Sequence, residues 1–312
     1  MPTGLPADPR RQACDSIRGY LYQIWTSVHS WLELGRDDLL YLEGAEDIDR
    51  LHPKGAEVMQ VKDQAANLTL HSPAVVAAIS NYWALRQRTP DKEIRFRFLT
   101  TAQAGIEQGA PFGVDQKGLQ VWELSRRDAK QRDVLLAFLK KEEALPDELR
   151  RFMHSSDAGT LQRALLDPIT WELGRGDTTC VVAEVERKLV ALGKSYGILP
   201  EPSKRAAAML LKTAFETASD RRAQPLTQQQ LLELFQEETT VRIPGGKLAG
   251  LQVLEQQVIR GMAAATTPGA AIPLTATPQI QSVIPALPKL LHPRDLLVST
   301  CCATLDRTGF LV

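Results

Sequence analysis

Cysteine is scarce. Cys14, Cys180, Cys301 and Cys302 are the four in 312 residues, with no CxxC spacing and no adjoining histidine pattern. A disulfide framework and a zinc ribbon are excluded as the device that holds the fold, and unbridged thiols in a reducing compartment are expected. The five histidines (His29, His52, His71, His154 and His292) show neither HxxxH nor HExxH spacing, so no zinc-hydrolase helix is present. GxSxG is missing, which removes the nucleophile elbow of serine hydrolases. GxxxxGK[ST] is missing too, so no P-loop cradles a nucleotide phosphate. No apolar run reaches the ~18 residues of a membrane span. The opening MPTGLPADPRRQ lacks the apolar stretch of a secretory signal. A soluble, cytoplasmic protein is expected. Net charge is absent as well: 37 Lys and Arg balance 37 Asp and Glu. No global field draws the chain to nucleic acid, and any such contact must come from a local basic face.

What is present is an ordinary globular mixture, 44% apolar and 24% charged, on a chain long enough for a sizeable core with an extension. Residues 1–12 are polar and Pro-rich, a disordered lead-in. From about Asp15, Ile17, Leu21, Ile24, Trp25, Val28, Trp31 and Leu32 fall at helical spacing, with Gly35 as the candidate C-cap. Three strand-like segments follow, Leu39 to Glu43, Ala45 to Leu51 and Ala56 to Lys62. Ser72-Pro73 opens a second helix with a cap residue and Pro at its first position. In EIRFRFLT, from Glu93 to Thr100, Ile94, Phe96 and Phe98 alternate with Arg95 and Arg97, a half-buried strand with a basic outer face. That order makes an α/β unit, α-β-β-β-α-β. Beyond Thr101 the pattern turns helical, with Thr227 and Gln230 spaced as a capping box. Thr266 to Pro288 is rich in Pro, Ala and Thr and reads as a linker. The expected division is a core over 11–104, a helical extension over 105–240, a helix and linker over 241–288, and a further segment over 289–312.

The candidate chemistry lies between Leu39 and Asp63. His52-Pro53-Lys54-Gly55 is a turn, and pairing the flanking segments about it sets Asp47 opposite Gln60. Lys62, two residues on, shares the face of Gln60 because side chains alternate along a strand. A phosphodiester hydrolase needs a divalent cation to polarise the phosphate and activate water. Mg²⁺ (or Mn²⁺) keeps several waters, so one or two carboxylates plus carbonyl oxygens suffice. Asp47 offers the carboxylate, Gln60 a side-chain carbonyl and Val61 a backbone oxygen. Lys62 would hold the attacking water or neutralise the phosphorane. Glu43 and Glu46 flank the same turn, and Arg95 and Arg97 are candidate phosphate contacts. The same residue types on a solvated surface hairpin would do nothing.

Asp47 with Gln60-Val61-Lys62, the preceding GYLYQ (Gly19 to Gln23) and the later RFRFLTT (Arg95 to Thr101) resemble a known group. It is the nuclease domain of the CD-NTase-associated double-stranded DNA endonucleases of bacterial anti-phage defence, also found at the N-terminus of Avs-like STAND ATPases. These belong to the restriction-endonuclease-like PD-(D/E)xK superfamily, in its Mrr-like QxK variant. The likeness extends over roughly residues 11–240, through the Trp-containing segment Ile169 to Leu173 and PLTQQQLLELF. It implies Asp47 as metal carboxylate, Gln60 as the second strand position and Lys62 as catalytic lysine, with Glu43 and Gln23 in supporting places. Glu46 stands where the superfamily has Pro, and Gln60 where it commonly has an acid. The implied partners are double-stranded DNA, further copies of the chain, and a regulatory or NTPase module beyond Pro288. The end, LPKLLHPRDLLVSTCCATLDRTGFLV, is similar to the lead-in to a STAND P-loop. The alternatives are an RNA endonuclease using the same residues, and a silent nuclease fold that binds nucleic acid or a protein.

Overall fold

The computed structural model describes residues 14–240 and, beyond them, only positions 253 and 256, both helical. The expected lead-in over 1–12, the linker and the segment over 289–312 lie outside the described residues. The order begins α1 (Cys14–Trp31), β1 (Leu39–Leu42), β2 (Ile48–His52), β3 (Gly55–Lys62), α2 (Pro73–Arg88) and β4 (Ile94–Thr100). The expected α-β-β-β-α-β order is therefore observed. Next come α3 (Gly118–Ser125), α4 (Ala129–Leu139), α5 (Asp147–Ser155) and α6 (Ala158–Leu161), which runs into a π-helical turn over Gln162–Leu166. The described chain closes with β5 (Ile169–Glu172), α7 (Thr178–Ser195), α8 (Pro200–Ser219) and α9 (Gln228–Thr239).

One sheet carries all five strands in sequence order. β1, β2 and β3 pair antiparallel, whereas β3–β4 and β4–β5 are parallel. The hairpin register places His52 on Gly55 and Ile48 on Met59, as the turn residues dictate. Parallel neighbours need a crossover, which α2 provides for β3–β4.

Alternation sorts the side chains into two cores. Val58, Ile94, Phe96, Phe98 and Ile169 pack one face against α2 and the α3–α6 helices. Leu40, Ile48, Met59, Val61 and Leu99 pack the other against α1, α7, α8 and α9. Both faces are covered, which is why β4 reads IRFRFLT yet is only partly solvated. The residues beyond 104, expected to be wholly helical, supply β5 and half of each core. Ile169 to Glu172 extends beside β4 because Trp171 meets Phe98 at 5.5 Å between ring centroids.

The caps follow their chemistry in part. Thr227 Oγ1 accepts the Gln230 amide at 3.2 Å, and Asp177 caps α7 through the Cys180 amide at 3.1 Å. Ser72 occupies the N-cap position of α2, but its hydroxyl accepts from the Thr69 amide of the preceding loop instead. Gly35 stands four residues past the observed end of α1 rather than capping it, and its amide goes to Asp38 Oδ2 at 2.8 Å.

Candidate functional site

β2 and β3 part company at one point, and that point makes the site. Ala56 donates to Glu93 on the β4 side, and the Lys62 carbonyl accepts from Thr101 on that side too. Even-numbered residues of β3 thus aim their backbone groups at β4, and Met59 and Val61 aim theirs at β2. Continuing the ladder past Ile48–Met59 would pair Val61 with Glu46. Instead the Glu46 amide donates to Asp49 Oδ1 at 3.2 Å, and Asp49 Oδ2 takes the Ala45 amide at 2.5 Å. The turn is folded down onto Asp49, which is buried. A Cβ on Gly44 would lie 2.3 Å from Asp49 Oδ2, so this close approach requires glycine. With the Glu46 backbone withdrawn, Asp47 Oδ2 accepts the Val61 amide at 2.7 Å. The Val61 carbonyl, on the same edge as its amide, faces the gap beside Asp47.

Gln60 comes next on β3 and is buried. Its Oε1 has no hydrogen-bond partner, a buried acceptor left open. Such an atom costs free energy unless something outside the protein completes it. Lys62 is half-buried at the strand end. Its charge reaches the carboxyls of Glu43, Glu46 and Asp47 alike.

Each of those carboxyls is held above the usual range. Burial is the largest cause for Asp47, with the Val61 amide and Lys62 pulling the other way. Burial and then the Asp47 charge push Glu46 up to about 7, partly offset by the Asn81 amide of α2. Burial and Asp47 raise Glu43 as well, against its hydrogen bond from Gln23. Glu43 itself sits at φ +53°, a left-handed conformation uncommon outside glycine. That turn carries its carboxylate to Gln23 on α1. Burial is the first cause of all three shifts, and Lys62 is the charge that opposes it at each carboxyl.

Six of the residues singled out from sequence meet at the C-terminal end of β3: Glu43, Glu46, Asp47, Gln60, Val61 and Lys62. Gln23 joins them from α1. Arg95 and Arg97 do not. Arg97 points to the opposite sheet face, between Glu57 (2.8 Å) and Glu172 (2.5 Å), and these partners raise its pKa further. Its guanidinium ties β3, β4 and β5 together instead of lying on an open basic surface. Arg95 is exposed near the start of β4, 3.5 Å from Glu93 and at the far end of the strand from Lys62. Arg97→Ala is accordingly expected to cost about 2 kcal/mol in urea unfolding, below the figure for a fully buried pair because the site is partly solvated. Any salt slope of nucleic-acid binding should not change; a shallower slope with unchanged stability would make Arg97 a phosphate contact after all.

Three contributors escaped the sequence reading. Asp49 was within reach, since the hairpin register puts it on the Asp47 face. Asn81 and Asp63 were not, because their partners are distant in sequence. Asp63 receives Arg18 Nε at 2.9 Å and the Thr101 hydroxyl at 2.9 Å, pinning the chain just after Lys62.

Among the described residues no three His, Cys, Asp or Glu side chains converge as a ready-made metal cage. The donors present are one carboxylate, one amide oxygen and one backbone carbonyl. That set fits a hard cation that keeps waters, and the open Gln60 Oε1 fits it in particular. Among the described residues, no helix is long and apolar enough to cross a membrane.

No known family matches the chain, and no curated protein does. Among solved structures it is similar to the Acinetobacter baumannii Cap4 SAVED/CARF-domain containing receptor with the cyclic trinucleotide 3'3'3'-cAAA. Identity there is 13%, the TM-score 0.44, and the alignment covers 70% of this chain and 45% of that one. The Moraxella osloensis Cap4 SAVED/CARF-domain containing receptor gives 12% identity and a TM-score of 0.45, over 70% of this chain and 47% of that one. The chain thus spans under half the length of either. At such similarity, function is argued from the site's own chemistry.

Proposed function

We propose that this chain is a metal-dependent phosphodiesterase that cleaves double-stranded DNA, with a restriction-endonuclease-like PD-(D/E)xK core of the QxK kind. The observation that carries the reading is the open, buried Gln60 Oε1 beside the Asp47 carboxylate and one step from Lys62. Asp47, Gln60 and the Val61 carbonyl would hold Mg²⁺ or Mn²⁺, which when bound polarises the scissile phosphate and lowers the pKa of a water. Lys62 supplies the fixed positive charge that stabilises the phosphorane oxygens. Gln23 orients Glu43, and Asn81 faces Glu46, so both acids are placed to receive the proton released by the attacking water. One site per chain cuts one strand, and double-strand breaks need two copies together. We therefore read the chain as an anti-phage effector activated when a downstream regulatory module clusters it.

The experiment is supercoiled-plasmid cleavage by the free chain and by a coiled-coil-tetramerised fusion, with Mg²⁺ or EDTA, and with RNA offered in parallel. Linearisation in Mg²⁺ that EDTA abolishes is expected, strongest for the fusion. Cleavage of RNA alone would transfer the site to the other polymer. Nucleic-acid binding that EDTA leaves untouched, with no product from either form, would make the chain a silent nuclease-fold module.

A further inference from the structure

On the opposite face of the sheet from Lys62, at the same strand ends, lies a cavity of about 190 Å³ between α1, β4 and the start of α7. One water needs only ~10–15 Å³ of such space. Its walls include Tyr22 and His29 of α1, Leu99 of β4, Arg175 of the connecting loop, and Val181 and Glu184 of α7. Tyr22 is wholly buried, yet its hydroxyl has no hydrogen-bond partner. A buried phenol normally finds a partner, so this donor is left for an occupant.

The cavity is tied to the cleavage end of the sheet. Leu99 precedes Thr100, the register partner of Lys62 on the adjacent strand. Arg175 donates its backbone amide to the Thr100 carbonyl at 3.0 Å, and Gly174 donates to the Ala102 carbonyl at 2.8 Å. Tyr22 is the residue before Gln23, which holds Glu43. An occupant of the cavity therefore lies at the same end of the sheet as the phosphodiester site, across the sheet from the Lys62 side chain.

Charge selects its chemistry. Around the Tyr22 hydroxyl stand Asp63, Glu172 and Asp177 against the single guanidinium of Arg175. Also in the wall, the half-exposed Glu184 lies 3.3 Å from His29 Nε2. A phosphate there would meet one guanidinium, Arg175, with Glu184 in the wall and Asp63, Glu172 and Asp177 behind it, a balance that gives a second dianion no net attraction. A neutral ring with donors and acceptors on its edge meets Tyr22, Arg175 and Glu184 with its polar atoms, and Leu99 and Val181 with its apolar faces.

We propose that this cavity is a nucleobase subsite, which receives an unpaired or extruded base of the strand whose backbone lies at Lys62. The inference rests on the phosphodiesterase reading for its substrate class, but not for its test. Extruding a base costs unstacking energy, which is least at a mismatch. The enzyme so built engages distorted or locally open duplex in preference to perfect duplex.

Cys180 lines the cavity and is exposed, so its alkylation reports occupancy. The full chain in EDTA is mixed with a short duplex carrying a mismatch, or with the same duplex carrying abasic sites at those positions. Cys180 modification is then followed by peptide mass. With duplex at ten times its dissociation constant, the mismatch duplex should slow labelling about 10-fold, since only the vacant fraction reacts. The abasic duplex should not slow it. Tyr22→Phe should weaken the mismatch protection several-fold, by about one hydrogen bond, while leaving the melting temperature unchanged or higher because an unsatisfied donor is removed. Equal protection by the abasic duplex, or protection indifferent to Tyr22→Phe, overturns the subsite. Base-dependent protection in a chain that cleaves nothing upholds the subsite and sinks the phosphodiesterase reading. Cleavage without base-dependent protection does the reverse.

Discussion

Lys62→Ala is expected to lower plasmid cleavage in saturating Mg²⁺ by about 10²–10³-fold, the usual effect of removing one preorganised group that stabilises transition-state charge. Folding should barely register the change. Lys62 is half-buried at the end of β3, and the strand contact it makes at 3.3 Å is through its backbone carbonyl, which alanine keeps. A second readout separates chemistry from architecture. Lys62 favours the ionised forms of Glu43, Glu46 and Asp47, all of which burial disfavours. Glu46 must be ionised to receive the proton of the attacking water, so activity of the wild-type chain should rise with pH through the neutral range, where Glu46 at about 7 loses its proton. Without the lysine the carboxyl pKa values climb further, and the residual activity should rise at higher pH than in the wild type. Lys62→Arg keeps the charge and should keep the wild-type position of that rise while losing rate through geometry. Wild-type cleavage by the alanine variant would remove Lys62 from the mechanism and, with it, the site as drawn.

How much of this was legible follows from how far each interaction reaches along the chain. The hairpin was readable because Pro53 and Gly55 fix the turn and alternation then fixes every pair back to Ile48 and Met59. Asp47, Gln60 and Lys62 could be placed on one face from that alone. The local withdrawal of Glu46 onto Asp49 could not, since it depends on a turn collapsing into the close space that Gly44 leaves. It is that withdrawal which turns Asp47 into the partner of the Val61 amide and frees the Val61 carbonyl. Arg97 was misplaced for a related reason. Alternation gave its face correctly but not what covers that face, and Glu172 lies 75 residues away in sequence on a strand that no local pattern announces. Four residues following Pro168 carry no periodicity long enough to separate strand from loop.

That fifth strand can be tested through the aromatic chain that holds it. Trp122 of α3 meets Trp171 of β5 edge to face at 5.4 Å between ring centroids, and Trp171 meets Phe98 of β4 at 5.5 Å. Trp122 is fully buried, and its Nε1 donates to the Leu166 carbonyl at 3.2 Å. Arg126 reaches the same carbonyl at 3.3 Å and also binds the Ile169 carbonyl, so the segment entering β5 is fastened from one helix and its C-cap. Trp122→Ala removes the indole from the centre of that arrangement and leaves a cavity between α3 and the sheet. A loss of about 3–5 kcal/mol in unfolding free energy is expected. The lost hydrogen bond adds little, because Arg126 still satisfies Leu166. The damage should also be uneven. Amides of β5 should exchange faster in hydrogen–deuterium measurements, whereas those of β2 and β3 should keep their protection because the aromatic stack runs from α3 to β5 and β4. Plasmid cleavage at low temperature, where the variant is still folded, should persist, since Asp47, Gln60 and Lys62 stand on β3 and its hairpin. A Trp122→Ala chain as stable as the wild type would mean that β5 is not seated on β4 by this stack. Equal loss of protection at β3 would mean that sheet and helical half unfold as one unit, and that the β2–β3 hairpin draws its stability from the far side of the sheet.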